Sequence, residues 1–355
     1  FFFFFFFFFF FFFFVVKEET MKLSDIVGLP IAKPKSDDTP LLAMDGTYYI
    51  RRAFHAMSKG KRHFGTESEM FDFLLANGYD QFDKYFISFD EAKQKHTMLD
   101  PSITVNSFLG SLLKILREQF KFHAEAVILF DRGSYRYRDK TKFTTYKESR
   151  QYDDSFKVCW EATDIAIQLL RRLGFHVISI GGLEADDLGM YFSHNHDNCW
   201  LATVDSDWQQ SMTASTKILR KEEILDLDKV IQQTGVQNPL DLAILKAISS
   251  GGHDDIETVG LKRKSPQEAI DAYKAKDTAV YTQDELNKIE YNLQLTRLDY
   301  ILSDDAIYPE IEKQWALTHV DKSAVQSLIT PQPYIVRGLE SWLNQGVHTE
   351  DWKHG

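Results

Sequence analysis

Only two cysteines, Cys159 and Cys199, occur in 355 residues. That excludes a disulfide framework and a Cys-based zinc site, and each thiol is expected as a small core residue in a reducing compartment. Apolar runs long enough to cross a membrane are missing too. The longest is Phe1 to Phe14 followed by Val15-Val16, short of the roughly 20 residues a span needs. It also lacks the basic start of a secretory signal. We take residues 1–20 as a tag-like or artefactual segment and Met21 as the expected start; setting the tract aside lowers Phe from 29 to 15. Internal repeats are absent. An excess of positive charge is also lacking: 41 bases face 52 acids, a net charge of −11. Such a balance argues against a nucleic-acid partner, unless many of the acids are gathered around a cation.

They are gathered. Ile178-Ser179-Ile180 ends an expected strand, and Gly181-Gly182-Leu183-Glu184-Ala185-Asp186-Asp187 follows it into a helix. Trp200 to Val204 is another apolar run, with Asp205 and Asp207 just past its end. Helix-start acids favoured by the macrodipole account for one or two of these five carboxylates, not for five at two strand ends. In an open α/β sheet, ligands bind beyond the carboxyl ends of the parallel strands. Carboxylates packed this closely repel one another unless a cation intervenes, and an all-oxygen donor set selects magnesium or manganese over zinc.

Two further strands stop on an acid. Leu41 to Met44 runs into Asp45-Gly46, and Ala126 to Phe130 runs into Asp131. The second run is continuously apolar, as a buried parallel strand is. Thr47 is read as the N-cap of a helix over Tyr48 to Met57. Amphipathic spacing predicts helices over Ile103 to Phe120 and Val158 to Leu173. Residues 22–40, with Pro30, Pro34 and Pro40, read as an extended arm. The stretch 58–100 carries a basic cluster (Lys59, Lys61, Arg62, His63) and an aromatic-rich segment, and matches no motif.

After Asp131 the composition changes. From Arg132 to Arg150, seven bases (Arg132, Arg136, Arg138, Lys140, Lys142, Lys147, Arg150) face Asp139 and Glu148, with Tyr135, Tyr137, Phe143 and Tyr146 interleaved. Interleaved bases and aromatics suit single-stranded nucleic acid, neutralising phosphates while stacking bases at about 1–3 kcal/mol each. Farther on, a helix opened by Asn238-Pro239 leads to the glycine-rich turn Ser250 to Asp255. Thr258-Val259-Gly260-Leu261-Lys262-Arg263-Lys264 and a helix start at Ser265-Pro266 follow. Helix, glycine turn with bases, then helix resembles units that hold a phosphate backbone with main-chain amides. Helical segments continue beyond Ala279, clearest over Leu286 to Leu302.

Asp45, Asp131, Tyr146-Lys147 with Arg150, Gly182-Leu183-Glu184-Ala185-Asp186-Asp187, and Thr203-Val204-Asp205-Ser206-Asp207-Trp208 stand in the order of one family. Over residues 41–270 the chain resembles the 5′-3′ exonuclease and flap endonuclease family, close to its phage members and to the 5′-nuclease domain of bacterial DNA polymerase I. The resemblance implies an α/β, PIN-like fold: a mostly parallel central sheet flanked by helices, a helical arch over about 139–160, and a helix-hairpin-helix over 236–275. The nuclease core would then span 41–235, with an insertion at 58–100 and a helical C-terminal region over 276–355.

The resemblance further implies two Mg2+ or Mn2+ ions. One would lie among Asp45, Asp131, Glu184, Asp186 and Asp187, the other near Asp205, Asp207 and Asp254. Lys147, Arg150 and Asp186 would be catalytic. Arg132, Arg136, Arg138, Lys140, Lys142, Tyr146, Lys147, Arg150, Gly260, Lys262, Arg263 and Lys264 would contact DNA, with K+ at the hairpin turn. The hairpin departs from the family, with Gly251 where an acid is usual, Asp255 where Asn is usual, and a shortened glycine loop. A weaker second ion site and a weaker duplex grip are expected from that. The expected activity is 5′-3′ exonuclease or flap cleavage of DNA in the cytoplasm, beside a polymerase or single-strand-binding protein. RNA-primer removal, or a DNA-binding replication factor with weakened turnover, are the alternatives.

Overall fold

The computed structural model describes residues 39–57, 61–76, 86–90, 94–138, 156–221, 223–249, 256–328 and 333–344. Strands β1 (Leu41–Asp45), β5 (Glu125–Leu129), β6 (His176–Ile178), β7 (Cys199–Ala202), β8 (Lys217–Arg220) and β9 (Glu223–Leu225) form one sheet in the order β6-β5-β1-β7-β8-β9. Every pairing is parallel except β8 with β9. The apolar runs of the sequence are explained by burial on both faces. Along β1, Leu42 and Met44 enter one core cluster while Leu41 and Ala43 enter another, the two-residue alternation of a strand.

The first cluster lies under α1 (Gly46–Ala56), α3 (Pro101–Phe120), α4 (Phe156–Arg172) and α11 (Pro333–Asn344); the second lies under α5 (Ala185–Asn195) and α10 (Ile307–Trp315). The chain steps outward from β1 to β5 and β6, then returns to β7 on the other side of β1. Strand order therefore reverses beside β1, and that is where an open sheet leaves a crevice for ligands.

The motif-free stretch forms a small antiparallel sheet of β2 (Lys61–Phe64), β4 (Lys95–Leu99) and β3 (Phe86–Asp90), with α2 (Glu67–Ala76) beside it. Arg62 ties it to the core. Its guanidinium meets Asp100 at 2.5 Å and lies 4.4 Å from the Phe73 ring centre. Asp100 is fully buried and caps α3, accepting from the Ser102 amide. The remaining helices are α6 (Leu227–Thr234), α7 (Leu242–Ser249), α8 (Pro266–Lys274) and α9 (Gln283–Thr296). The long helix expected to run to Leu302 ends at Thr296, and a separate 3-10 turn, Asp299–Ser303, follows. Among the described residues, no helix is long and apolar enough to cross a membrane.

One glycine sets how α5 meets the acidic turn after β7. A Cβ on Gly189 would lie 2.5 Å from the Trp208 ring, which is buried. Gly189→Ala gains about 1 kcal/mol of helix propensity but overpacks a fixed ring at a cost of roughly 1–3 kcal/mol. A lower midpoint in urea unfolding is the expected result; an unchanged or raised midpoint would show that Trp208 yields freely.

Candidate metal centre

Asp45 ends β1, Asp131 lies just beyond β5, and Asp205 just beyond β7, so three neighbouring strands deliver carboxylates to the switch-point crevice. Asp45, rather than Thr47, caps α1: its Oδ1 accepts from the Tyr48 amide at 2.8 Å and its Oδ2 from the Thr203 hydroxyl at 3.2 Å. Thr47 is used differently, its hydroxyl accepting from the Asp131 amide at 2.7 Å. Asp131 Oδ1 accepts from the Ala185 amide at 2.8 Å, which fixes the start of α5 against the end of β5. Asp205 accepts from the Asp207 amide at 3.0 Å.

Asp45 is 6% exposed. Burial, then the nearby charges of Asp131 and Asp205, push its pKa up to about 8, against the opposing pull of the Tyr48 and Thr203 hydrogen bonds. Each cause penalises a bare negative charge, and a divalent cation would relieve each of them. The all-oxygen donor set therefore fits a hard divalent ion. Among the described residues, no three acidic, His or Cys side chains already stand in a ready metal cage.

Cations divide the other acids. Arg138, 2% exposed, forms two hydrogen bonds to Asp187 at 3.0 and 3.1 Å, lies 3.6 Å from Glu184, and donates to the carbonyls of Leu295 and Arg297. Burial alone would lower its pKa; Asp187, Asp186 and Glu184 outweigh that and raise it. Asp187 is itself fully buried and accepts from the Glu184 amide at 3.1 Å. It closes the capping box that Glu184 opens at the start of α5, and it balances Arg138. Asp186 faces the same helix start, accepting from the Asp187 amide at 2.8 Å. Asp207 is paired with Lys246 of α7.

These contacts correct part of the nucleic-acid expectation. Arg138 is sealed inside and is not available to a phosphate. Arg136 bonds Asp304 at 2.8 Å and Glu310 at 2.7 Å, and Tyr137 bonds Asp304 at 2.9 Å, so this stretch clasps the C-terminal helices. Arg132 bonds Ser179 and Asp164 but stays 45% exposed. Gly182, at φ +86°, permits the clasp: its amide donates to the Arg132 carbonyl, and a Cβ there would meet Tyr135 at 2.9 Å. At the hairpin, the Gly260 amide is spent on the Ile248 carbonyl at 2.8 Å, so it is not presented to a backbone phosphate. Lys262 and Arg263 pair with Glu285 and Asp277 at the surface, contacts weak enough to exchange. Lys264 is exposed. Lys140, Lys142, Tyr146, Lys147, Arg150, Gly251, Asp254 and Asp255 lie outside the described residues.

Sequence reasoning missed Arg51 and Lys246. Arg51 lies 3.7 Å from Asp131. Nothing in the local sequence marks either as a neighbour of the acids, because the contacts form only when α1 and α7 pack.

A mostly parallel sheet with carboxylates at its switch point defines an α/β domain with an acidic crevice. Residues 73–235 match the family described as "5'-3' exonuclease, N-terminal resolvase-like domain". No curated protein matches the chain. Among solved structures, the chain is similar to the T5 D15 protein co-crystallised with metal ions, at 15% identity over 86% of this chain and 98% of that one, TM-score 0.46. It is also similar to the catalytic core of Rad2 in complex with DNA substrate, at 17% identity over 90% and 98%, TM-score 0.39. For flap endonuclease-1 from Methanococcus jannaschii the figures are 11% identity, 60% and 82%, and 0.36.

Proposed function

We propose that the protein is a divalent-metal-dependent 5′-3′ nuclease that hydrolyses phosphodiester bonds of DNA, as an exonuclease or at 5′ flaps. The observation that carries this reading is the convergence of Asp45, Asp131 and Asp205 at the switch point of a chain whose residues 73–235 match the 5′-3′ exonuclease N-terminal domain family. Asp45, Asp131, Glu184 and Asp186 would hold a first ion, and Asp205 and Asp207 a second, with Lys246 displaced from Asp207 when it enters. Bound there, Mg2+ or Mn2+ supplies a water nucleophile near neutral pH and neutralises charge on the phosphate.

The chain's own residues do the rest. Thr47 and Thr203 fix the backbone and carboxylate of the two central acids, through the Asp131 amide and Asp45 Oδ2. Arg138 holds Asp187 so that the start of α5 keeps Glu184 and Asp186 at the crevice. Lys147 and Arg150 would steer the 5′ strand and clamp its phosphate, where positive charge counts for more than in water. A cytoplasmic setting and a replication partner, a polymerase or a single-strand-binding protein, accompany this reading.

The test is a 5′-labelled flapped duplex, with and without an RNA 5′ segment, incubated with the protein in Mg2+, Mn2+ or EDTA. Metal-dependent release of short 5′ products is expected, and their lengths separate exonuclease from flap cutting. Tight binding in Ca2+ with no product in either metal would replace this reading with that of a DNA-binding replication factor.

A further inference from the structure

We propose that Arg51 is a catalytic residue: its guanidinium leaves Asp131 to bind a non-bridging oxygen of the phosphate being cleaved. The inference rests on the nuclease reading above. Arg51 sits on α1, whose first turn is capped by Asp45, and its nearest acidic atom is Asp131 Oδ2 at 3.7 Å. That separation is an ion pair but not a hydrogen bond. The other Asp131 oxygen is already taken by the Ala185 amide. The guanidinium carbon also lies 5.9 Å from the ring centre of Phe156, the first residue of α4. The Arg51 side chain is 34% exposed and that of Asp131 28%. A guanidinium has five N–H donors in a planar fork that matches phosphate. Here it is held beside the acid, backed by an aromatic ring, and open to incoming substrate.

The other described cations around the acids are committed elsewhere. Arg138 is enclosed against Asp187, Lys246 is paired with Asp207, and Arg136 is bound to Asp304 and Glu310. Arg132 bridges to Asp164 on the outer side of α4. Arg51 alone among them combines a place at the Asp131 carboxylate with solvent access and a loose contact.

Two effects of opposite sign follow from Coulomb's law. A positive charge near Asp131 opposes entry of a metal ion, so removing it strengthens ion binding. The same removal takes donors away from the phosphate, so it weakens cleavage. A residue that merely supports the fold would not move these in opposite directions.

The experiment uses the full chain as Arg51→Gln and Arg51→Lys, with unfolding midpoints as a control for folding. Mn2+ affinity is measured calorimetrically without DNA, and kcat is measured on the flapped duplex in Mg2+. For Arg51→Gln we expect Mn2+ binding about 3- to 10-fold tighter and kcat lower by about 10²-fold. Arg51→Lys keeps the charge, so it should hold Mn2+ affinity near wild type and recover about a tenth of the activity, short of full rescue because the fork is lost. An Arg51→Gln protein cutting within about threefold of wild type, or binding Mn2+ no more tightly, overturns the proposal while leaving the nuclease reading in place. If the wild-type protein itself cuts nothing in any metal, the nuclease reading falls first and this role falls with it.

Discussion

An Asp45→Asn protein should cut DNA on the order of 10³-fold more slowly than wild type, yet be the more stable of the two when metal-free at pH 8. Both results come from the same atoms. The carboxyl group is buried, faces Asp131 and Asp205, and titrates at about 8 in the folded chain. In the unfolded chain it titrates near 3.9. Between those values the folded state keeps a proton that the unfolded state has released. Stability due to this group is therefore fully present below about pH 4 and is lost as pH rises to about 8. The loss runs at about 1.4 kcal/mol per pH unit between those two values.

Asparagine keeps the hydrogen-bonding shape without the charge, so the variant should lack this slope. Thermal unfolding in EDTA at pH 5, 6.5 and 8 checks it: the difference between the two proteins should widen with pH in favour of the Asp45→Asn variant. Added Mg2+ or Ca2+ should raise the wild-type midpoint at pH 8 much more than the variant's, since an ion bound only by the folded state stabilises it by mass action. A gap that narrows from pH 5 to pH 8 would contradict the assignment of Asp45 as a buried, cation-seeking carboxylate.

Arg138→Ala should be among the most destabilising single changes in the chain, at about 3–5 kcal/mol, because it leaves the fully buried Asp187 without its counter-charge. It also orphans the Leu295 carbonyl. Replacing the whole pair behaves otherwise. Buried ion pairs gain little over apolar residues of similar volume, so Arg138→Met with Asp187→Leu should recover much of the loss. Urea unfolding of the two single variants and the double variant gives the coupling directly. Independent, additive effects would mean that the pair is not the closed unit described above.

The sheet and its acids were legible in the sequence because both follow from local pattern. Four apolar runs became β1, β5, β6 and β7, and Asp45, Asp131, Glu184, Asp186 and Asp205 stand at their ends or at the helix start, as the pattern requires. Helices with clear apolar spacing and a punctuated start, such as α3 and α8, were also readable; Ser265 caps α8 with its hydroxyl. What escaped was decided by distant partners. The bases at 132–138 look alike in sequence, yet Arg136 meets acids at 304 and 310 and Arg138 meets Asp187. The small sheet at 61–99 has short strands of mixed polarity, two of them with alternating or graded exposure, and antiparallel pairing rather than apolar content defines it. Thr47 lost the capping position to Asp45 because a side chain that reaches the Tyr48 amide already stood earlier in the chain, at the end of β1.

The clasp between Arg136, Tyr137, Arg138 and the residues from Leu295 to Glu310 bears on the order in which the acidic crevice is completed as the chain is made. The carbonyl that completes the Arg138 enclosure, that of Leu295, leaves the ribosome about 250 residues after Asp45. Trp342, later still, donates to the Leu173 carbonyl and stacks on Phe175 at 4.3 Å just before β6 begins. A nascent chain ending short of these residues holds its acids but not the arrangement that keeps them in place. The acidic crevice is thus completed only after residues 295–342 have been made, although Asp45 is made before them.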